Sequence, residues 1–252
     1  MQLLTKPAAF LVVALMCLMG APLSAAQQEP APLGVESIVE KMESAMDANR
    51  ARIPAHTVRR EYKMFGDDGE GKSSRVTADV EYLPPVTRNY RILEGSGRAE
   101  GVVKKILESE REGARHQDVA EFSRKNYEFQ LAGEGWLDGA RHYILETTPL
   151  RKEKYLLRGR IWVDKQSFVV RRVVGSPAKS PSWWVKDVEI TLEFRRVGDV
   201  WIQCATEAVA NLRLFGRHYM KARDVDFKPH ASVARKRGGG TPAGVIGAGV
   251  IR

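Results

Sequence analysis

The sequence predicts an α+β protein in which one long, strongly curved antiparallel β-sheet wraps over a few helices. Two observations carry that prediction. From Asn126 to Phe227 the chain reads almost entirely as short strands separated by Gly/Asp turns, the pattern of an antiparallel meander. Only two segments show helical periodicity, too few to cover both faces of so long a sheet, so the sheet must curl around one or both of them.

The N-terminus comes first. Lys6 precedes an apolar run from Ala8 to Gly20, and Pro22 and Ser24-Ala25-Ala26 follow with small residues where a signal peptidase reads. This is the pattern of a secretory signal peptide, 1–26, with cleavage after Ala26 and a periplasmic destination. The apolar run falls short of the ~20 residues that a spanning helix needs. Cys17 invites a lipoprotein reading, but Met16 stands where a small residue is expected and apolar sequence continues beyond it. With Cys17 in the leader, Cys204 is the one remaining thiol, so export serves no internal disulfide. A polar linker, 27–34, leads into a single domain, 35–230. A basic, glycine-rich tail, 231–252, shows no periodicity and is read as disordered.

Within the domain, Val35, Ile38, Val39, Met42, Ala45 and Met46 recur at helical spacing with charges opposite, ending before Pro54. His56–Pro85 reads as two strands around a Gly/Asp-rich turn, the second marked by the alternation Val76, Ala78, Val80, Tyr82. Thr87–Gly95 is a third strand. Gly97–Gly113 reads as a short helix with Val102, Val103, Ile106 and Leu107 on one side. Tyr127–Pro149 carries hairpin signals, Glu153–Gly175 turns at Asp164–Ser167, and Trp184–Phe227 turns at Gly198-Asp199. In the last segment Val188, Ile190, Leu192 and Phe194 alternate strictly with polar residues, so one face is buried and the other wet.

Lys and Arg number 40 against 31 Asp and Glu, a net charge of +9. On an exported protein such an excess suits an anionic membrane surface. Nucleic acid is excluded as a partner by export and by the lack of an aromatic–basic module.

Catalytic and cofactor motifs do not assemble. Gly95, Gly97 and Gly101 imitate a dinucleotide turn, but the spacing is one residue too long and no βαβ pattern surrounds it. The five histidines never fall at i, i+3 or i, i+4 spacing, so no metal site is indicated. Asp224 and Asp226, on a strand, are expected to share one solvated face. Glu108, Glu110 and Glu112 are expected to form the charged face of the short helix. No G-x-S-x-G elbow occurs, so no catalytic residue is assigned and the chain is read as non-enzymatic.

Two patterns point to a ligand cavity. In the pairs Arg171-Arg172 and Arg195-Arg196, neighbouring residues point to opposite faces. One of each pair either faces inward to hold an anionic headgroup or sits at a strand end and snorkels to water. Trp183 and Trp184 follow a segment interrupted by Pro177 and Pro181, and are either core residues or the amphipathic rim of a cavity. Trp162 projects from the face opposite to Ile161 and Val163.

The segments "RGRIWVDKQSFVVRRVVG", "SPSWWVKDVEITLEF", "VGDVWIQCATEAV" and "LFGRHYMKARDVDF" together resemble the outer-membrane lipoprotein-sorting protein superfamily, the LolA-, LolB- and RseB-like periplasmic carriers and sensors. The resemblance spans Tyr155–Phe227 and, more loosely, the first helix with its following hairpin. It implies an unclosed half-barrel over helices, with an apolar cavity for acyl chains of a lipid or lipoprotein. On that reading the cavity candidates are Trp162, Val170, Arg171, Arg172, Trp183 and Trp184, with Val102, Ile106 and Leu107 of the short helix as a lid. No cofactor is implied. The leading expectation is a lipid or lipoprotein carrier. The alternative is an envelope-state sensor that contacts a membrane-anchored protein on the same scaffold, and a hydrolase of envelope material is the weakest reading.

Overall fold

The computed structural model describes residues 33–230 except 86, 116–119, 181, 184 and 215. The predicted signal peptide with Cys17, nearly all of the linker, Trp184 and the tail lie outside the described residues. Helix α1 spans Val35–Arg52 and helix α2 spans Gly97–Ala114. The strands are β1 (His56–Gly66), β2 (Ser74–Leu83), β3 (Thr87–Glu94), β4 (Tyr127–Leu137), β5 (Ala140–Pro149), β6 (Leu157–Asp164), β7 (Val170–Pro177), β8 (Val185–Val197), β9 (Val200–Leu212) and β10 (Gly216–Pro229).

All ten strands belong to one antiparallel sheet in the order β3-β2-β1-β10-β9-β8-β7-β6-β5-β4. Strands β4 to β10 form the expected meander, because their connections, from two residues at Asp138-Gly139 to seven at 150–156, are too short for a parallel crossover. The β6–β7 turn shows how: the Asp164 carboxylate accepts hydrogen bonds from the Ser167 amide, the Ser167 hydroxyl and the Gln166 amide. Strand β1 then pairs with β10 along its whole length, from His56 opposite Pro229 to Gly66 opposite His218. The edges β3 and β4 never meet, so the sheet is open, and α2 lies on the path that carries the chain from one edge to the other.

The two helices serve the two halves of the sheet. Val103 and Leu107 of α2 pack with Val58, Tyr62, Val76, Ala78, Val80 and Ala222 in one buried cluster. Helix α1 buries Ile38, Val39 and Met42 and lies against β4 and β9. Strands β5 to β7 bury Leu145, Ile161, Val163 and Val173 completely or nearly so, each on the face its alternation predicts. Helix α2 ends within one residue of the expected Gly97–Gly113, its acidic stretch Glu108–Glu112 running between the buried Leu107 and the buried Ala114.

Two local features depart from regular strand geometry. Where β6 meets β7, Gly159 lies opposite Gly175, and a Cβ on Gly159 would stand 2.0 Å from the Val174 carbonyl oxygen. Only a pair of glycines lets the two backbones approach this closely. On β10 the register slips so that Arg60 pairs with Asp224 while Arg59 pairs with Asp226, leaving Val225 as the extra residue of a β-bulge. This overturns the expectation that Asp224 and Asp226 share a solvated face. The bulge turns Asp224 inward, where it is buried, and leaves Asp226 outside with Lys228.

Candidate ligand-binding cleft

A cleft of about 790 Å³ opens at the end of the sheet where β1, β7, β9 and the β2–β3 turn come together. One wall is the last turns of α1, with Met46, Asn49, Arg50 and Ile53. The turn residues Leu83, Pro84 and Pro85 form a second wall, and Val169, Val170, Phe194, Trp201 and Ile202 form the floor. The lining is mostly apolar, with Asp47, Arg50, His56, Tyr82, Arg88 and Asp224 as its ionisable groups.

Asn49 fixes the helix against the floor. Its side-chain amide donates to the Trp201 carbonyl at 2.8 Å, and its side-chain oxygen accepts from the Trp201 amide at 2.7 Å. The side chain thus pairs with β9 as an adjacent strand would, satisfying a backbone donor and acceptor at once. Trp201 is also held from beyond the cleft, by the Arg171 guanidinium 4.1 Å from its ring centroid.

Behind the second wall lies a buried ionic cluster. Arg60 donates from Nε to Asp224 at 2.6 Å, from Nη1 to Glu110 at 3.1 Å and from Nη2 to the Tyr82 hydroxyl at 2.8 Å. Its side chain is 4% exposed and that of Asp224 is 1% exposed. Burial works against the Arg60 charge, but the oxygens of Tyr82, Glu110 and Asp224 outweigh it and hold the guanidinium protonated well above its usual range. Burial pushes the Asp224 carboxyl above its usual range, against the pull of Arg60. Arg88, at the cleft, stacks over Tyr82 at 5.0 Å and approaches Glu110 only to 3.8 Å. Glu110 of the expected charged face of α2 thus turns to two arginines, Arg60 and Arg88.

His56 stacks between Tyr82 at 4.7 Å and Phe227 at 4.8 Å, and its Nδ1 lies 2.8 Å from the Pro54 carbonyl oxygen. Burial lowers its pKa, against the hydrogen bond to Pro54. Elsewhere Thr57 lies 2.9 Å from His230 Nε2, and Glu81 approaches the same nitrogen at 3.8 Å. A nucleophile–base–acid relay needs the acid on the other ring nitrogen, and none of these three residues lines the cleft. Among the described residues no group of three His, Cys, Asp or Glu is placed to hold a metal ion.

Of the residues singled out from sequence, Val170 lines the cleft and Arg171 reaches it through Trp201. Arg172 instead pairs with Glu193 across β7 and β8, and Trp162 lies half-buried opposite Arg172. Leu107 is in the core beneath β1 and β2, Ile106 is half-buried and Val102 is exposed; none of the three lines the cleft. Trp183 stands exposed at the far end of the sheet, in the β7–β8 loop. Sequence reasoning missed Asn49 and Arg60. Both carried a signal, since each is a polar residue on an otherwise apolar face: Met42, Met46, Asn49 on the helix and Val58, Arg60, Tyr62 on the strand.

No protein-family model matches the chain, and no curated protein matches its sequence. Solved structures do match. A LolA superfamily protein from Nitrosomonas europaea is 15% identical, with 79% of this chain and 94% of that one covered and a TM-score of 0.40. A putative outer membrane lipoprotein-sorting protein domain from Vibrio parahaemolyticus is 10% identical, with 80% and 96% covered and a TM-score of 0.45. The MucA/MucB complex from Pseudomonas aeruginosa gives 9% identity, 78% and 100% coverage and a TM-score of 0.29.

Proposed function

We propose that the chain is an exported, non-enzymatic carrier that holds acyl chains of a lipid or lipoprotein in the cleft between α1 and the β2–β3 turn. The observation that carries this reading is the cleft itself: about 790 Å³, with a floor of Val170, Phe194, Trp201 and Ile202. That size suits a small hydrophobic ligand, for which pockets run from about 300 to 1,000 Å³. Taking a 16-carbon chain out of a bilayer forfeits ~0.8 kcal/mol per CH₂, on the order of 10 kcal/mol in all. A few polar contacts do not supply this, whereas a continuous apolar wall does. Arg88, loosely paired at the cleft, is the group for an anionic headgroup. The signal-peptide pattern at residues 1–26 and the resemblance over Tyr155–Phe227 point the same way.

Native mass spectrometry of the protein purified from its own envelope fraction tests the reading. A mass increment that lipid extraction removes, together with uptake of a fluorescent fatty acid, is the expected result. A clean unliganded mass with no uptake overturns it. Crosslinking in the envelope that traps a membrane-anchored protein while the cleft stays empty would favour the sensor reading.

A further inference from the structure

The end of the sheet remote from the cleft carries a different surface. Strands β7 and β9 begin at the cleft, with Val170 and Trp201, and end in loops on the opposite side. Three such loops lie together there. The Ala178 amide of the β7–β8 loop donates to the Leu156 carbonyl of the β5–β6 loop at 2.8 Å. Arg213 of the β9–β10 turn donates from Nε to the Trp183 carbonyl at 2.8 Å. Each loop lifts one large apolar side chain into solvent: Leu150 is 51% exposed, Trp183 76% and Leu214 74%. Each also carries exposed basic residues, Lys152, Lys179 and Arg213, and among the described residues none of these three makes an ion pair.

We propose that these three loops form a docking end for an anionic phospholipid bilayer. Apolar side chains on separate loop tips, each flanked by a cation, suit an interface in which Trp and Leu enter the headgroup region while Lys and Arg meet lipid phosphates. A protein partner of ordinary kind would favour a continuous apolar patch with a depleted charge at its centre. The acidic groups nearby do not cancel the pattern. Asp187 is engaged by Asn211 and Glu112 by Lys154; the acidic β1–β2 turn stands beside the β9–β10 turn, one strand over, where Lys72 pairs with Asp68, and Glu153 is the one acid within the three loops among the described residues. Docked this way, the chain keeps the cleft end of the same strands away from the bilayer.

Vesicle flotation of the full chain, purified from its own envelope, tests the proposal. Vesicles containing phosphatidylglycerol are expected to carry the protein up, and pure phosphatidylcholine vesicles to leave it behind. Added salt should weaken the capture. Each cation near the surface contributes about fivefold in partition, so K152S/K179S should bind roughly 25-fold more weakly. W183S/L214S should lose flotation while keeping fatty-acid uptake, because neither residue lines the cleft; failure of the carrier reading is thereby separated from failure of this one. Equal capture by neutral vesicles overturns the proposal, and so does unchanged binding of both variants. It is also overturned if a chain ending at His230 stops binding while W183S/L214S binds like the parent. A photo-crosslinker at position 183 that traps protein and no lipid in the envelope overturns it in favour of a protein partner.

Discussion

Replacing Arg60 with Met removes the cation at the centre of the buried cluster and keeps most of its volume. Asp224, 1% exposed, then has neither its 2.6 Å partner at Nε nor access to water, while Glu110 at 25% exposure can turn outward. Breaking a buried pair by removing one partner costs about 3–5 kcal/mol. Because Glu110 relaxes into solvent, the expected loss lies at the lower end, about 3 kcal/mol. In urea, with a slope of about 1–3 kcal/mol/M, the midpoint should fall by at least about 1 M with the slope unchanged. The double variant R60M/D224L removes both charges and should recover most of the loss, as apolar replacements of buried pairs commonly do. Acidity supplies an internal check. With Arg60 gone, only the more distant Arg195 still opposes the burial that already raises the Asp224 pKa, so the native variant binds a proton that the unfolded chain releases. Stability from that group is present at low pH and lost as pH rises through the folded pKa, so the gap between R60M and the parent should narrow on acidification. An unchanged midpoint in R60M, or a double variant no more stable than the single one, would refute the reasoning.

Asn49→Ala deletes both hydrogen bonds to Trp201 and should cost about 1–3 kcal/mol; Asn49→Asp keeps the acceptor and sets a carboxylate against the Trp201 carbonyl, so chemical denaturation should show it no better than Ala at neutral pH and partly recovered in acid. His56 has a folded pKa depressed by burial, so its contribution is present above the unfolded value of about 6.5 and lost as pH falls through the folded pKa. His56→Phe keeps the stack with Tyr82 and Phe227, and its thermal midpoint should lack that part of the acid slope; an identical slope in both proteins would exclude His56 as its source. Tyr127 accepts the Leu157 amide at 3.0 Å in the interior, and burial pushes its phenol up to about 12. Tyr127→Phe leaves that amide without a partner, and a loss of about 1–3 kcal/mol is expected in denaturant unfolding, with no loss counting against a buried bond.

The sheet was legible because strand alternation is a local property. Val76 to Tyr82 on β2 announce their face with a period of two, and the Gly198-Asp199 turn joins β8 to β9 where it was expected; on β8 the expected contrast of a buried and a wet face is weaker, since Ile190 to Phe194 are all half-buried and the register shifts between Glu193 and Phe194. The open edges followed from the family resemblance, since nothing in a strand's own sequence says whether its neighbour exists. The bulge at Val225 escaped because one extra residue leaves no mark in the alternation of a polar stretch, yet it alone decides that Asp224 is buried and Asp226 is not. The cleft escaped for another reason. Its walls come from α1, the β2–β3 turn and the starts of β7 and β9, separate segments of the two halves of the chain that the pairing of β1 with β10 brings together. Sequence attention went to Trp183, conspicuous beside a Pro-rich loop, while the tryptophan in the cleft is Trp201, hidden in an ordinary strand.

The contact between Gly159 and Gly175 separates what can change in this molecule from what cannot. Elsewhere the walls are side chains, and their size is open to exchange one methyl group at a time. At this pair there is no side chain to exchange, and the Val174 carbonyl occupies the place a methyl would need. If the cleft holds a guest as proposed, selection on guest size would act at Val170, Phe194 and Ile202, which face the cleft, and leave both glycines untouched. The lining of the cleft can drift while the backbone at this pair stays in place.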